Sequence, residues 1–346
     1  MADWSQLPKD LLQLISEKLN SELYSTRFRS VCSSWRSSSI PSYHHHHLSL
    51  KLPQFSDDNN FSTRHLSKHS IFLIKPPQHQ QTLHRPWLIR VGPDLNGKIQ
   101  LWHPFSLFPR VPFNFPHHVF DFNQISVHDL GHMFFLCHKA FVATYQGNQP
   151  VVVVAFDSLG GMSVFRCGDD KWTKIVGMAT CFYGDICLFR GRPCEAIYSG
   201  KTEMIEQDLS VHLMAEHVDT ENIGNKFLFE SECELLLVDC YGGDDVLIDV
   251  FRLDEKEKKW VNLTNIGDRV LFLGNGCSFS ASAKDLCVAN GNCIIYTDDA
   301  FHDLNDTECG LSVFHLDQGR VSPLSDYPEY FKLLGPPPEW ITELHS

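Results

Sequence analysis

Proton transfer and metal ligation both need histidines and carboxylates close together, so these residues are weighed first. Three acid–base candidates stand out, Gly131-His132, Glu216-His217 and Asp298-Asp299, together with a run of four histidines from His44 to His47. Four consecutive side chains cannot all turn toward one ion, so the run is a poor metal site. Acidic pairs at the ends of short apolar stretches are the usual material of hairpin turns. The chain contains no G-x-S-x-G, no H-E-x-x-H, no phosphate-binding loop and no G-x-G-x-x-G. Gly274-Asn275-Gly276 comes nearest to the last, without its third glycine or a following helix. Trp172 and Trp260 have the size to line a ligand pocket, but an indole packed beneath a turn as an anchor is the simpler role. These residues predict no catalytic site, no cofactor and no metal.

The charge is uneven. Residues 1–160 carry 14 basic and 10 acidic side chains, a balance of +4, whereas 161–346 carry 15 and 32, a balance of −17. An acidic half repels phosphate, which excludes nucleic acid as a partner. The twelve cysteines are scattered, never as C-x-x-C, and mostly lie in apolar runs. They read as free core thiols in a reducing compartment rather than as a disulfide scaffold. The opening Met1-Ala2-Asp3-Trp4 has neither the basic nor the apolar region of a signal peptide, and the longest aliphatic run, Val151 to Phe156, is far short of a membrane span. Cytosol or nucleus is the expected location, with no membrane partner.

Three regions organise these residues. Over 1–40 the spacing predicts a small helical unit: Leu7, Leu11, Ile15 and Leu19 recur every four residues with Leu12 beside them. Pro8 suits the first turn, where no helical N–H is needed. A second set, Leu23, Phe28, Val31, Cys32 and Trp35, recurs at three to four. Helices this short must pack on one another, and apolar surface left over on so small a unit marks a partner site. Residues 41–70, with Pro41, the histidine run and Ser56-Asp57-Asp58-Asn59-Asn60, read as a polar linker crossed by few contacts, so that 71–346 should fold alone.

From residue 71 short apolar stretches alternate with Gly, Asp, Asn and Pro turns. Candidate strands include Ser70–Ile74, Trp87–Val91, Phe134–Cys137, Ala196–Ser199, Leu235–Cys240 and Cys293–Thr297. A repeat narrows the architecture. Gly160-Gly161 leads to Val164-Phe165-Arg166, an acidic turn and Trp172, and Gly242-Gly243 leads to Val250-Phe251-Arg252, an acidic turn and Trp260. Val313-Phe314-His315 repeats the strand and turn without the tryptophan. Hairpins repeated with aromatic anchors predict an all-β propeller over 71–346, of about five to seven degenerate blades at 40–50 residues each. Pro336 to Pro338 read as a cap over the last blade.

The N-terminal stretch Leu7-Pro8-Lys9-Asp10-Leu11-Leu12, then Ile15 and Leu19, then Arg29-Ser30-Val31-Cys32-Ser33-Ser34-Trp35-Arg36, resembles the F-box motif in its Leu-Pro start and its Val-Cys-x-x-Trp ending. The remainder, in Pro86-Trp87-Leu88-Ile89, His103-Pro104-Phe105-Ser106, Leu271-Phe272-Leu273-Gly274 and Pro336-Pro337-Pro338-Glu339-Trp340, is similar to plant F-box proteins with a C-terminal kelch-like domain. The double glycine with its downstream tryptophan is similar to a degenerate kelch repeat. The resemblance implies a substrate receptor of an SCF (Skp–cullin–F-box) ubiquitin ligase. On that reading the Skp adaptor, and through it the cullin, is held by part of the set Leu7, Pro8, Leu11, Leu12, Ile15, Leu19, Val31, Cys32 and Trp35, the rest forming the unit's own core. The β domain would hold a protein target, and the chain needs no nucleophile. A scaffold acting outside the ligase and a propeller enzyme are the alternatives.

Overall fold

The structure, a computed structural model, describes residues 4–19, 22–39, 50–52, 64–77, 84–94, 97–105, 125–135, 139–143, 152–156, 162–166, 168–175, 184–206, 208–218, 224–242, 246–274, 277–297 and 310–343. The histidine run 44–47, the glycine pair 160–161 and Asp298-Asp299 lie outside them. Three short helices come first: α1 (Lys9–Glu17), α2 (Glu22–Ser30) and α3 (Ser33–Ser38).

The strands among the described residues form four sheets. The first comprises β1 (Leu50–Leu52), β2 (Arg64–Lys75), β3 (Trp87–Pro93), β4 (Ile99–Trp102), β5 (Ser126–Phe135), β6 (Lys139–Ala143), β7 (Val152–Phe156), β8 (Met162–Arg166) and β9 (Thr173–Lys174). The second holds β10 (Asp185–Phe189), β11 (Arg192–Ala196), β12 (Thr202–Ile205) and β13 (Val211–Ala215). The third holds β14 (Asn225–Ser231), β15 (Glu234–Tyr241), β16 (Leu247–Asp254) and β17 (Lys259–Leu263). The fourth is β18 (Arg269–Gly274), β19 (Cys277–Ser282), β20 (Cys293–Thr297), β21 (Leu311–His315) and β22 (Arg320–Pro323), with α4 (Ala283–Leu286) inserted after β19. The last described elements are α5 (Pro328–Leu334) and α6 (Glu339–Glu343).

Four sheets replace the five to seven blades expected. The long strands β2 and β5 pair along most of their length, and β5 then pairs with β6. Two groups of strands that turn spacing alone would assign to separate blades thereby join in one sheet of nine. The first sheet also begins before the expected boundary at residue 71. Within 41–70, β1 and the start of β2 already belong to the first sheet, with Leu52 and Leu66 buried.

The sheets pack face to face in a ring. Adjacent sheets approach along β6 and β10, β10 and β14, β14 and β19, and β19 and β5. Side chains alternate across a strand, so a strand buried on both faces must be apolar throughout. That is why Leu235-Leu236-Leu237-Val238 is continuous: Leu235 and Leu237 pack toward Cys194, Met204 and Phe189 of the second sheet, and Leu236 and Val238 toward Leu271, Leu273 and Ile294 of the fourth. On β18 the same alternation sends Val270 and Phe272 against Ile71, Leu73 and Leu88, closing the ring between last and first sheets.

The indole of Trp260 donates to the Gly200 carbonyl at 2.7 Å, tying the third sheet to the β11–β12 turn of the second. Gly200 holds φ at +80°, and a Cβ there would lie 2.4 Å from Val218. Trp172 packs on Phe165, with ring centroids 5.7 Å apart. The strand expected over Ala196–Ser199 begins earlier, at Arg192, and 197–200 is a turn. The C-terminal cap sits elsewhere than on the last blade alone. Tyr330, Leu333 and Leu334 of α5 fill the core between fourth and first sheets, and Trp340 and Ile341 of α6 cover the first.

Candidate docking surface

Helix α1 opens at Pro8, whose carbonyl accepts from the Leu12 N–H at 3.1 Å, so the missing proline N–H costs the helix nothing. An α-helix advances about 100° per residue, and a nine-residue helix therefore presents two faces. Leu12 turns inward and is fully buried. Phe28 joins the buried interior from α2, with the Trp35 ring tilted against it at 4.6 Å. The Trp35 indole donates to the Trp4 carbonyl at 3.0 Å, and Arg29 donates to the Ser39 hydroxyl at 2.7 Å, so the N-terminal turn, α2 and α3 are cross-linked.

The other face of α1 is bare. Leu11 is 47% exposed, Leu14 57% and Ile15 40%, at the i, i+3, i+4 spacing that makes neighbours on one helix side. Val31 (55%) and Trp4 (65%) add apolar surface, and Pro8 is exposed. Leu7, Leu19, Cys32 and Trp35 are half-buried. The nine residues singled out by sequence thus divide: Leu12 and Trp35 pack inward, while Leu11, Ile15, Val31 and Pro8 face out. Leu14 and Trp4 were missed. Leu14 was legible from its place three residues after Leu11, but nothing in its type separates an outward leucine from an inward one.

The acid–base candidates among the described residues lie on different sheets. His132 lies in β5 of the first sheet, and Glu216-His217 follows β13 of the second. No group of three or more His, Cys, Asp or Glu suited to a metal occurs among the described residues. Cys194 and Cys293 are core thiols, which burial pushes up to about 12 and about 11. Thiols so placed stay protonated and are poor nucleophiles. Burial, and secondarily the Arg90 guanidinium, lowers His69 to about 3 and His103 to about 4, so both imidazoles are neutral at physiological pH. Glu195 is 1% exposed on β11, and among the described residues neither of its carboxyl oxygens has a hydrogen-bond partner. Its pKa is pushed up to about 8 by burial and then by Glu203. No sequence pattern pointed to these three groups, because burial depends on the sheets stacked over them.

The family model described as KIB1-4 beta-propeller matches residues 59–315. The chain is similar to F-box protein SKIP23 of Arabidopsis thaliana, at 34% identity covering 99% of this chain and 96% of that protein. It is 31% identical to F-box protein At2g17036 of the same plant, covering 100% and 96% of the two chains. To the Arabidopsis F-box/kelch-repeat protein At2g24250 it is 30% identical, over 86% and 83%. With its propeller of four sheets and its N-terminal F-box sequence, the chain belongs to the plant F-box proteins that carry a KIB1-4 β-propeller.

Proposed function

We propose that this chain is the substrate-recognition subunit of an SCF ubiquitin ligase. The F-box docks on the Skp adaptor, and through it on the cullin, while the propeller recruits a protein target for ubiquitination by other subunits. The observation that carries this reading is the bare face of α1. Leu11, Leu14 and Ile15, with Val31 nearby in sequence to the unit's second half, stay exposed although the unit has its own core in Leu12 and Phe28. An apolar helical face of this kind fits a hydrophobic groove by its i, i+3, i+4 anchors. The role is a receptor's rather than an enzyme's, in keeping with relatives that are F-box proteins and with core thiols that burial keeps protonated. No described helix is long and apolar enough to cross a membrane. Cytosol or nucleus, both reducing, suits seven described cysteines that are all free thiols.

Co-purification decides between this role and a scaffold outside the ligase. A ligase receptor brings down both the Skp adaptor and the cullin, and loses both when Leu11 becomes lysine. Recovery of the adaptor without cullin would favour the scaffold, and recovery of neither from wild-type chain would refute the docking assignment.

A further inference from the structure

The outer face of β2, β3 and β5 differs from the other large sheet faces. It is apolar, built from Ile74, Trp87, Ile89 and Val127, and no strand of another sheet packs on it among the described residues. Two helices from opposite ends of the chain cover it. Trp340 and Ile341 of α6 are 3% and 1% exposed there, and Leu23 of α2 packs against the same cluster.

Directed bonds fix both helices. Arg27 of α2 donates from Nη1 to the Val127 carbonyl at 3.1 Å. Two residues on, the Asp129 N–H donates to the Tyr24 hydroxyl at 3.3 Å. This is where the β2–β5 register slips, Ile71 opposing Gly131 and Phe72 opposing Asp129, so that Leu130 is skipped. Such a bulge disturbs the ladder locally and leaves backbone groups for other partners. On the other side the Trp340 indole donates to the Arg85 carbonyl at 3.0 Å, and the Trp87 indole to the Gly335 carbonyl at 3.0 Å.

We propose that α2 and α6 act as a two-part latch: the C-terminal helix completes the apolar seat on which the F-box rests, so the F-box is held on the propeller instead of swinging from a tether. Two helices that share one seat are coupled, and the coupling is reciprocal, so releasing either loosens the other. The inference concerns contacts within the chain and does not depend on which partner the F-box binds.

Amide hydrogen exchange on the full chain tests it. In Trp340→Ala, peptides covering α2 should exchange faster by roughly tenfold or more, while those of β14 to β16 keep wild-type protection. Exchange of α2 within about twofold of wild type, with α6 itself released, would overturn the latch. If Trp340→Ala also loosens β14 to β16, the decision passes to Leu23→Ser combined with Arg27→Ala, which leaves the sheet core intact. Faster exchange of α6 in that variant supports the latch, and unchanged exchange overturns it.

Discussion

Leu11 and Leu12 are adjacent and chemically identical, yet the fold gives them opposite tasks, and paired substitutions should separate these. Leu11→Lys places a charge where solvent already reaches, so the melting temperature should hold. Adaptor affinity should fall by at least about tenfold, since burying one leucine is worth about 1.5–3 kcal/mol and a buried lysine has no counter-charge. Leu12→Ala hollows the helical unit at a cost of about 2–5 kcal/mol, so helical circular dichroism should fall along with binding. The stripe of leucines was legible in the sequence. Its division was not, because the rotation of about 100° between neighbouring residues separates inside from outside only once α2 and α3 are in place. Glu195 was wholly illegible, a carboxylate among residues that a reader would put in solvent. Its folded pKa of about 8 lies above the ordinary carboxylate value of 4.5. Its contribution is therefore most favourable below that ordinary value and is lost as pH rises toward 8. Glu195→Gln should flatten the stability–pH curve between those limits, the gap between variant and wild type growing by on the order of 3 kcal/mol. Urea titrations at pH 5 and pH 8 read this directly, and parallel curves would contradict it.

Strands with both faces buried announce themselves, and β15 and β20 stand where their apolar runs predicted. Strands that mix types did not. In β11, Arg192-Pro193-Cys194-Glu195 looks like a turn, because a proline lacks the N–H a central strand needs. Pro193 is tolerated because β12 pairs with β11 only from Cys194 onward. The neighbouring pair β14 and β15 carries a test of its own. Lys226 and Asp239 face each other at 2.5 Å, with side chains 1% and 0% exposed. Lys226→Met strands a buried carboxylate and should cost about 3–5 kcal/mol, whereas Lys226→Met with Asp239→Leu should recover most of the loss. Chemical denaturation of the three proteins supplies the comparison. Trp260→Ala removes both a packed ring and the tie to Gly200. A cost of about 3–5 kcal/mol is expected, read as an earlier thermal transition with adaptor binding unchanged. A target-binding defect with an unmoved transition would instead make Trp260 a pocket residue.

At the scale of the molecule, the propeller class and the N-terminal hook were legible, but their separation was overdrawn. A chain beginning at residue 71 lacks β1 and the part of β2 that pairs with Phe134 and Phe135, so it should not unfold cooperatively. A chain beginning at residue 50 keeps every described strand but uncovers the Leu23 side of the first sheet. Its melting temperature should drop by about 3–6 °C, measurable by calorimetry. Distance along the chain explains why this escaped a linear reading: Arg27 meets Val127, and Trp340 meets Arg85. The ring itself is sealed by Val270 and Phe272 against Ile71 and Leu73, with α5 wedged between. The first sheet thus awaits residues synthesised some two hundred positions later. On the ribosome its inner face stays open until the fourth sheet and α5 have emerged. Nascent chains should therefore depend on chaperone protection until α5 has emerged, and truncations between the third sheet and α5 should yield aggregates rather than shortened receptors.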